Sequence, residues 1–364
     1  MNKQLKKVCA LFLAAVMLFA LAACGGSNGS NGSNAGTPST GGDTPAAPVD
    51  VDSVDWSTLP KTTVVFASAQ SSQLATSVYL ADEAQKISDL TGGQLTIQMQ
   101  FDSKLGGDTE EIEAIQAGDI DMMVLGSSAL LAFVPEVAVF DMPMMFEDAA
   151  AAVAGVPQLS GSFDPITSAK GIKTLGLGFS AFRELTTNTN IQKPEDIKGM
   201  KIRTLENKYH MDFWENLGAE PTPIAFTDLY LSLNQGLVSA QDNSIEAVQA
   251  MKFYEVQDYY MPITAFMNVT FIIASPARWN ALAPEYQALI QQYVDDYMAV
   301  TFELGDKGAQ AARAAIGDDL IDLEFTPELK AAMLEAGKPV WKSVRADIGD
   351  ELCDAYLAIA GRTE

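Results

Sequence analysis

Residues 62–66 read Thr-Thr-Val-Val-Phe, a β-branched run that predicts a buried strand. A helical pattern follows over about 73–90 and stops at Thr-Gly-Gly, and residues 95–99, Leu-Thr-Ile-Gln-Met, then predict a second strand. A second helix is predicted over 109–117, where a glycine stops it, and a third strand over 121–125. Because strands and helices alternate, this segment predicts the parallel sheet of an α/β fold.

The alternation starts again further along the chain. Strands are predicted at 172–177, 183–188, 200–204 and 265–274, which together indicate a second α/β unit. The chain has 364 residues, more than one hydrophobic core usually fills. We therefore expect two lobes, each with its own sheet and flanking helices.

One helix is predicted to be much longer than the others. The pattern begins after Pro284, places apolar residues at steps of three and four, and extends to about Ala315. At 1.5 Å per residue it would be more than about 40 Å long, which exceeds what a single lobe needs. We therefore expect this helix to span both lobes.

The amino terminus predicts export and a lipid anchor. Residues 1–23 form a basic head, an apolar run and a small-residue end, the layout of a signal peptide. The sequence Leu-Ala-Ala-Cys-Gly that closes this segment resembles the bacterial lipobox, so Cys24 is the expected lipidation site, with a plain cleaved signal as the alternative. The apolar run is short for a membrane-spanning helix, so we expect anchoring on the extracytoplasmic face of the cell membrane. Residues 24–55, rich in Gly, Ser, Asn and Pro, predict a disordered tether.

Charge and cysteine content exclude several kinds of partner. Without the signal peptide the chain keeps 20 Lys and Arg against 47 Asp and Glu, a net charge of −27. Such a surface repels nucleic acid and anionic lipid headgroups, so an anionic ligand would need a sheltered arginine. Loss of Cys9 with the signal and lipidation of Cys24 would leave Cys353 without an intramolecular partner, so no disulfide is expected.

The chain offers no catalytic constellation. Residues 176–181, Gly-Leu-Gly-Phe-Ser-Ala, formally match a dinucleotide fingerprint, but a strand follows them where a helix is required. His210 is the only histidine, which leaves nucleophilic and zinc chemistry incomplete and favours a surface or pocket-rim position. Glu110, Glu111 and Glu113 near a helix start predict a solvated face rather than a cation site. We expect a binding protein that is not an enzyme and carries no cofactor or metal, while a metal that accompanies the ligand stays open.

An ordered series of short blocks carries a family resemblance. The chain resembles the DctP-type solute receptors of TRAP transporters, the tripartite ATP-independent periplasmic family, here in a lipoprotein form. No single block decides the match, but their order and spacing over essentially the whole body are specific. The matching blocks are Leu-Gly-Gly-Asp at 105–108, Gly-Asp-Ile-Asp-Met at 118–122, Phe-Asp-Met-Pro at 140–143, Phe-Arg-Glu-Leu-Thr-Thr-Asn at 182–188, Pro-Glu-Asp-Ile-Lys-Gly-Met-Lys-Ile-Arg at 194–203, Leu-Gly-Ala-Glu-Pro-Thr-Pro-Ile-Ala-Phe at 217–226, Lys-Phe-Tyr-Glu-Val-Gln at 252–257 and residues 279–285.

The resemblance implies both an architecture and a role. It implies a two-lobed periplasmic-binding-protein-like fold with two sheets, flanking helices and a hinged cleft, in which lobe I comprises 56–180 plus 269–308 and lobe II comprises 181–268 plus 309–364. It also implies that a small organic acid is captured in the cleft and delivered for uptake to the small and large membrane subunits of the permease. The substrate-binding lipoprotein of an ATP-driven transporter shares the two-lobe plan and is the alternative.

The resemblance also implies the residues that hold the ligand. Arg203, at the end of the Lys-Ile-Arg strand, is expected to form a bidentate salt bridge to the ligand carboxylate, because a planar guanidinium matches two carboxylate oxygens. Arg183 is implied as a second contact, with an ion pair to an acid such as Glu184 as the alternative. Asn243 stands where the family places an amide on the same carboxylate, although the surrounding block lacks the family's Asp, Gly and Pro. Phe226 is implied as an apolar wall over the ligand, or is an ordinary core aromatic.

Further candidates come from charge and from strand ends. Glu206, close to the arginine of the Lys-Ile-Arg strand, would repel a simple diacid and favour an amino or hydroxy acid, unless it faces solvent. Polar residues follow the first and third strands of lobe I, at the carboxyl ends where open sheets bind ligands. They are expected to contact the distal half of the ligand: Ser68, Gln70, Gln73, Gly126, Ser127 and Ser128.

Overall fold

The computed structural model describes residues 49–363. The predicted signal peptide, Cys24 and most of the predicted tether lie outside this range. Within it, no helix combines the length and the apolar character that crossing a bilayer requires.

The first half of the sheet follows the predicted alternation. Strand β1 (Thr62–Ala67) pairs in parallel with β2 (Leu95–Gln100) on one side and with β3 (Met122–Gly126) on the other. Helix α1 (Ala75–Leu90) connects β1 to β2, and α2 (Asp108–Ala117) connects β2 to β3. The β-branched and apolar residues of these strands are buried on the faces that the connecting helices cover, so the predicted parallel α/β unit is confirmed.

Two long strands run through the middle of the molecule. Strand β4 (Lys173–Thr187) pairs antiparallel with β8 (Tyr259–Ala274), and the pairing is irregular near Gly176, Ser180 and Glu184. The sequence predicts two separate strands within β4, because bulges interrupt the apolar alternation that marks a strand. The structure corrects this prediction, since one strand covers both segments.

The second half of the sheet is built on the other ends of these two strands. Strand β7 (Ala240–Asn243) pairs with the carboxyl end of β4, and β5 (Lys201–Thr204) pairs in parallel with β7 and with β6 (Glu220–Pro223). The edge strand β6 contains two prolines, which lack the N–H that a central strand would need. The short β9 (Ile321–Asp322) pairs with the amino-terminal end of β8.

The two predicted sheets are one continuous sheet. In the described part of the chain the nine strands follow the order β2-β1-β3-β8-β4-β7-β5-β6, with β9 beside β8. The prediction of two sheets fails because β4 and β8 are long enough to hydrogen-bond in both halves. The α/β class with helices on a central sheet is confirmed.

The remaining helices cover this sheet. In chain order they are α3 (Ser127–Leu130), α4 (Ala149–Gly155), α5 (Ser160–Ser168), α6 (Lys208–Asn216), α7 (Leu229–Asn234), α8 (Ile245–Ala250), α9 (Pro276–Asn280), α10 (Pro284–Ile316), α11 (Pro327–Ile348) and α12 (Asp350–Ile359).

The long helix α10 contacts both halves. Its 33 residues extend about 50 Å at 1.5 Å per residue. Tyr286 and Tyr293 in its first half pack in the core beneath β1 and β2, whereas Ala312 and Ile316 near its end pack in a separate core with α7 and α8. The predicted long helix across both halves is therefore confirmed.

The carboxyl-terminal helices pack against an early segment of the chain. The ring of Tyr356 in α12 contacts Phe140 and Phe146 at centroid distances of 5.8 and 5.7 Å, and Trp341 Nε1 donates to the Pro143 carbonyl oxygen at 2.8 Å. These partners belong to the predicted lobe I, although 309–364 is predicted to be lobe II. Their packing does not support that part of the division, and the lobe boundaries stay a prediction.

Candidate functional site

A cavity of about 290 Å³ lies where the two halves of the sheet meet. Its walls come from the carboxyl ends of β1 and β3, the middle of β4 and β8, the start of α6 and α8, and one face of α10. The irregular pairing of β4 beside Ser180 and Glu184 lies at this cavity, and bulges of this kind re-aim side chains next to binding sites. The cavity is therefore built by elements that are distant in sequence.

The strand ends of the first half contribute polar side chains. Gln70 follows β1, and Ser127 and Ser128 follow β3, and all three line the cavity together with Gly126. Ser68 is buried, and its Oγ accepts from the Gln70 N–H at 3.2 Å. The parallel pairing of β1 with β3 brings these two strand ends together, as open α/β sheets generally do at their binding edge.

Arg183 lines the cavity and is held by a buried acid. Its Nε donates to Asp242 Oδ1 at 2.6 Å, and its Nη2 donates to the Asp242 carbonyl oxygen at 2.5 Å. Trp214 Nε1 donates to the other carboxylate oxygen, Oδ2, at 3.2 Å. Burial alone would raise the pKa of Asp242, but the Arg183 guanidinium and then His210 hold that pKa below its usual value. The partner of Arg183 is thus Asp242 rather than the Glu184 named from the sequence.

Arg203 is buried without a carboxylate of its own. Only 2% of the residue is exposed, and Nε donates to the Ile224 carbonyl oxygen at 2.9 Å. Its Nη1 is buried and has no hydrogen-bond partner, and within residues 49–363 it makes no ion pair. Burial, and then the charge of Arg183, lowers the pKa of Arg203 to about 10, so the guanidinium stays charged at neutral pH. Arg203, in β5, does not line the cavity itself.

Asn243 contacts Arg183, whereas three other candidates lie elsewhere. Asn243 is buried, and its Oδ1 faces Arg183 Nη1 at 3.5 Å. Phe226 is 40% exposed and packs edge-on against Phe253, and Glu206 and Gln73 are exposed. None of Phe226, Glu206 and Gln73 lines the cavity, and Asn243 reaches it only through its contact with Arg183, which does.

The pairing of Asp141 with His210 was missed by sequence reasoning, which expected only the histidine, at the surface or at a pocket rim. Asp141 and His210 both line the cavity, and His210 Nε2 lies 3.2 Å from Asp141 Oδ1. The imidazole is buried and stacks on the Phe266 ring at a centroid distance of 3.6 Å. The sequence does mark each residue, since Asp141 stands inside the block Phe-Asp-Met-Pro and His210 is the only histidine. No local sequence pattern, however, indicates a contact between residues 69 positions apart.

Acidic side chains near the cavity have raised pKa values. Glu246 lines the cavity, and burial raises the pKa of its carboxyl. Burial also raises the pKa of the neighbouring Glu184 to about 6, although hydrogen bonds with Tyr260 and the Ile245 N–H oppose this shift. Among residues 49–363 no cluster of three or more His, Cys, Asp or Glu side chains has the arrangement of a metal site.

Comparison with known proteins identifies the family. Residues 64–347 match the model of the DctP family, described as bacterial extracellular solute-binding protein, family 7. The chain belongs to this family. The resemblance to DctP-type receptors stated from the motif series is thereby confirmed, whereas the lipoprotein form stays a prediction. A DctP-family protein is a solute-binding receptor rather than an enzyme.

Individual relatives agree with this assignment. A solute-binding protein of Verminephrobacter eiseniae is 30% identical over 257 residues, which cover 68% of this chain and 71% of that protein. The 2,3-diketo-L-gulonate-binding periplasmic protein YiaO of Escherichia coli is 29% identical over 210 residues, which cover 56% of this chain and 64% of that protein.

Solved structures show the same DctP-family fold. A TRAP periplasmic solute-binding protein of Ochrobactrum anthropi, with its C-terminus bound in the ligand-binding pocket, superposes with a TM-score of 0.78 at 26% identity and covers 83% of this chain and 95% of its own. The sugar acid binding protein DctPAm of Advenella mimigardefordensis, in complex with galactonate, gives a TM-score of 0.73 at 25% identity and covers 83% of this chain and 99% of its own.

Proposed function

We propose that this DctP-family receptor captures a small organic acid in the cavity between the two halves of the sheet and delivers it to the membrane subunits of a TRAP transporter. Export by the signal peptide and lipidation at Cys24 would hold it on the extracytoplasmic face of the cell membrane. The names of the relatives, which include a receptor in complex with galactonate, support an acid as the solute and favour a TRAP permease over an ATP-driven one.

One observation carries the proposal of an acidic ligand: the buried Nη1 of Arg203 has no partner. A guanidinium taken out of water loses hydration free energy that only an anion or several acceptors can replace. Asp242, the acid that acts on it electrostatically, already accepts hydrogen bonds from Arg183 and Trp214. A ligand carboxylate would satisfy Nη1 and neutralise the second positive charge once the proposed hinge motion brings Arg203, which lies outside the cavity lining here, into contact with the ligand.

The two arginines then have different tasks. Arg203 supplies the uncompensated charge, while Arg183 is oriented by Asp242; its Nη1 donates one N–H to Asn243 Oδ1 and has a second N–H for the same carboxylate. Gln70 and Ser127 would contact the distal half of the ligand from the other wall. A hinge motion that excludes water would strengthen the ion pair, because charges attract more strongly in a medium of lower dielectric constant. The proposal assigns no contact to Phe226, Glu206 or Gln73.

The test compares both arginines in binding and in stability. Arg203→Ala is expected to weaken binding of the best acid, found by a thermal-shift screen of keto, hydroxy, amino and sugar acids, by about 2–5 kcal/mol. It should leave the ligand-free melting temperature unchanged or higher, because an unpaired buried charge is removed. Arg183→Ala should lower the stability of the free protein by about 3–5 kcal/mol, because Asp242 is left without its partner.

Arg278→Ala is the matched control. Its side chain is 53% exposed, pairs with the partly buried Asp121 and does not line the cavity, so affinity should change little and stability should fall less than in Arg183→Ala. Calorimetry that finds the same affinity for Arg203→Ala and the unmodified chain would reject Arg203 as the carboxylate anchor.

A further inference from the structure

Uncompensated negative charges outnumber uncompensated positive charges among the residues that line the cavity. Arg183 lines the cavity with its charge neutralised by Asp242, and the buried Arg203, on which Arg183 acts electrostatically, has an Nη1 without a partner. Two carboxylates, Asp141 and Glu246, line the cavity directly. A ligand with one carboxylate finds a matching charge, whereas a second carboxylate would meet an acid.

Asp141 is held in a fixed orientation with acceptor capacity left over. His210 Nε2 lies 3.2 Å from Oδ1, and Asn207 Nδ2 donates to Oδ2 at 2.9 Å. The stacking of His210 on Phe266 fixes the imidazole in turn. Each carboxylate oxygen can accept about two hydrogen bonds, so both oxygens retain a lone pair after these contacts. The Asp141 side chain is 15% exposed, and the residue lines the cavity.

We propose that the ligand is a monocarboxylate that carries hydroxyl groups, and that Asp141, positioned by His210 and Asn207, accepts a hydrogen bond from one of these hydroxyls. This inference rests on the proposed function, because it takes the carboxylate to be held by Arg203. A dicarboxylate is disfavoured by repulsion between its second carboxylate and Asp141 or Glu246. An unsubstituted fatty acid is disfavoured because it would bury Asp141 beside a chain that cannot donate.

The rest of the lining favours hydroxyls over an ammonium group. Neutral hydroxyl and amide side chains are spread over both walls and suit several hydroxyls along a chain better than a single concentrated positive charge. They include Gln70, Ser127, Ser128, Ser244, Asn268 and Thr270. An amino acid would use Asp141 alone and leave these groups without a partner.

The test on the unmodified full-length chain uses calorimetry with matched six-carbon acids. Galactonate and other hydroxylated monocarboxylates are compared with galactarate, which differs from galactonate by a second carboxylate, with hexanoate, which lacks hydroxyls, and with 2-aminohexanoate. The best hydroxylated monocarboxylate should bind at least tenfold more tightly than any member of the other three classes. A dicarboxylate, hexanoate or amino acid that binds as tightly would overturn the inference while leaving an acid-binding function in place. If no acid of any class binds, the proposed function itself fails.

Two variants remove the negative charges of Asp141 and Glu246 one at a time. Asp141→Asn should bind the best hydroxylated monocarboxylate about tenfold to a hundredfold more weakly, while binding of galactarate stays the same or improves. If Asp141 has a structural role alone, Asp141→Asn would weaken the binding of both acids alike, and that result would overturn the assignment.

Glu246→Gln leaves Asp141 and its partners intact, so it keeps the test valid if Asp141→Asn folds poorly. Glu246→Gln should improve galactarate binding. If the ratio of the affinities for the hydroxylated monocarboxylate and for galactarate does not change, the repulsion argument is contradicted. Asp119→Asn, at an exposed position outside the cavity, is the control.

Discussion

Arg183 and Arg203 stand 20 positions apart on neighbouring parts of the same sheet, and their surroundings separate their roles. Asp242 binds one of them through two hydrogen bonds, and the other keeps a buried donor without a partner. Residue type alone does not distinguish them, because both are arginines within matching motif blocks. The position of one buried carboxylate decides which arginine is available to an anion.

Glu111 is a buried acid outside the cavity, and like Arg203 it has polar atoms without a partner. The sequence predicts a solvated acidic face there, but Glu111 is fully buried, and neither of its carboxylate oxygens has a hydrogen-bond partner. This prediction is wrong for Glu111, because Ile112 and Ile115 turn that side of α2 towards the core. Burial, and then the charges of Asp108 and Glu110, raises the pKa of Glu111 to about 7.

We expect Glu111→Gln to stabilise the protein in a pH-dependent way. Below the unfolded-state pKa of about 4.5 the group is protonated in both states and the substitution should have little effect. Between about pH 4.5 and 7 the unfolded chain releases this proton while the folded chain retains it, so the stability of the parent falls relative to the variant until about pH 7. Above pH 7 the variant should be more stable by on the order of 2–3 kcal/mol. Denaturant unfolding at pH 5 and pH 8 measures the difference.

Glu113→Gln serves as the control for this prediction. Glu113 lies on the same helix and is exposed, so the substitution should leave the pH dependence of stability unchanged. An equal gain for Glu111→Gln at both pH values would show that packing, and not ionisation, is responsible.

At the scale of secondary-structure elements, the contacts of α10 with β4 and with α8 depend on close approach. A Cβ on Gly305 would lie 2.9 Å from the Ser180 carbonyl oxygen, and one on Gly308 would collide with the Glu246 carboxylate. Ser180 stands where the pairing of β4 with β8 is irregular, beside residues that line the cavity. The small residues of α10 therefore let a helix cross directly over the irregular part of the strand.

We expect Gly305→Ala to destabilise the protein by about 1–3 kcal/mol, because the added methyl group meets backbone and the helix must shift. That loss exceeds the gain of about 0.5–1 kcal/mol that alanine brings to a helix interior. Gly161→Ala in α5 is the control, since no atom lies within 4 Å of the added Cβ, and it should be neutral or stabilising. Thermal unfolding measures the stability of both variants. A Gly305→Ala variant as stable as the parent would mean that α10 is not tightly packed against β4.

At the scale of the whole molecule, net charge opposes the proposed ligand. The chain without its predicted signal carries a net charge of −27, so an anion approaches a repulsive field before it reaches the sheltered arginines. The affinity for the acid would then be determined by the local site, whereas its association rate would be determined by the electrostatic field of the whole molecule.

We therefore expect binding of the acid to become faster as salt is added. Between about 0.01 M and 0.1 M salt the screening length falls from roughly 30 Å to roughly 10 Å, so the repulsion is reduced while the site remains enclosed. Stopped-flow fluorescence should show the association rate rising about twofold or more, with a smaller change in dissociation. A rate that falls with salt would instead indicate that a local positive field guides the ligand.

Much of the framework was predictable because it depends on neighbours in sequence. The β-branched runs of β1 to β3, the helices between them and the long α10 were all predicted within a few residues, since hydrophobic periodicity acts over one or two turns. The split prediction for β4 failed where bulges break that periodicity, and the prediction of two sheets failed with it.

The sequence by itself determined the class of protein, through an ordered motif series, and named Arg183, Arg203, Gln70 and Ser127 as candidates. Only the tertiary structure decided that Asp242 neutralises Arg183, that Asp141 and His210 meet at the cavity, and that Phe226 and Glu206 do not line it. The reason is physical. Periodicity and motif spacing report contacts along the chain, whereas the charge balance of a cavity depends on which side chains the fold brings within a few ångströms from distant positions.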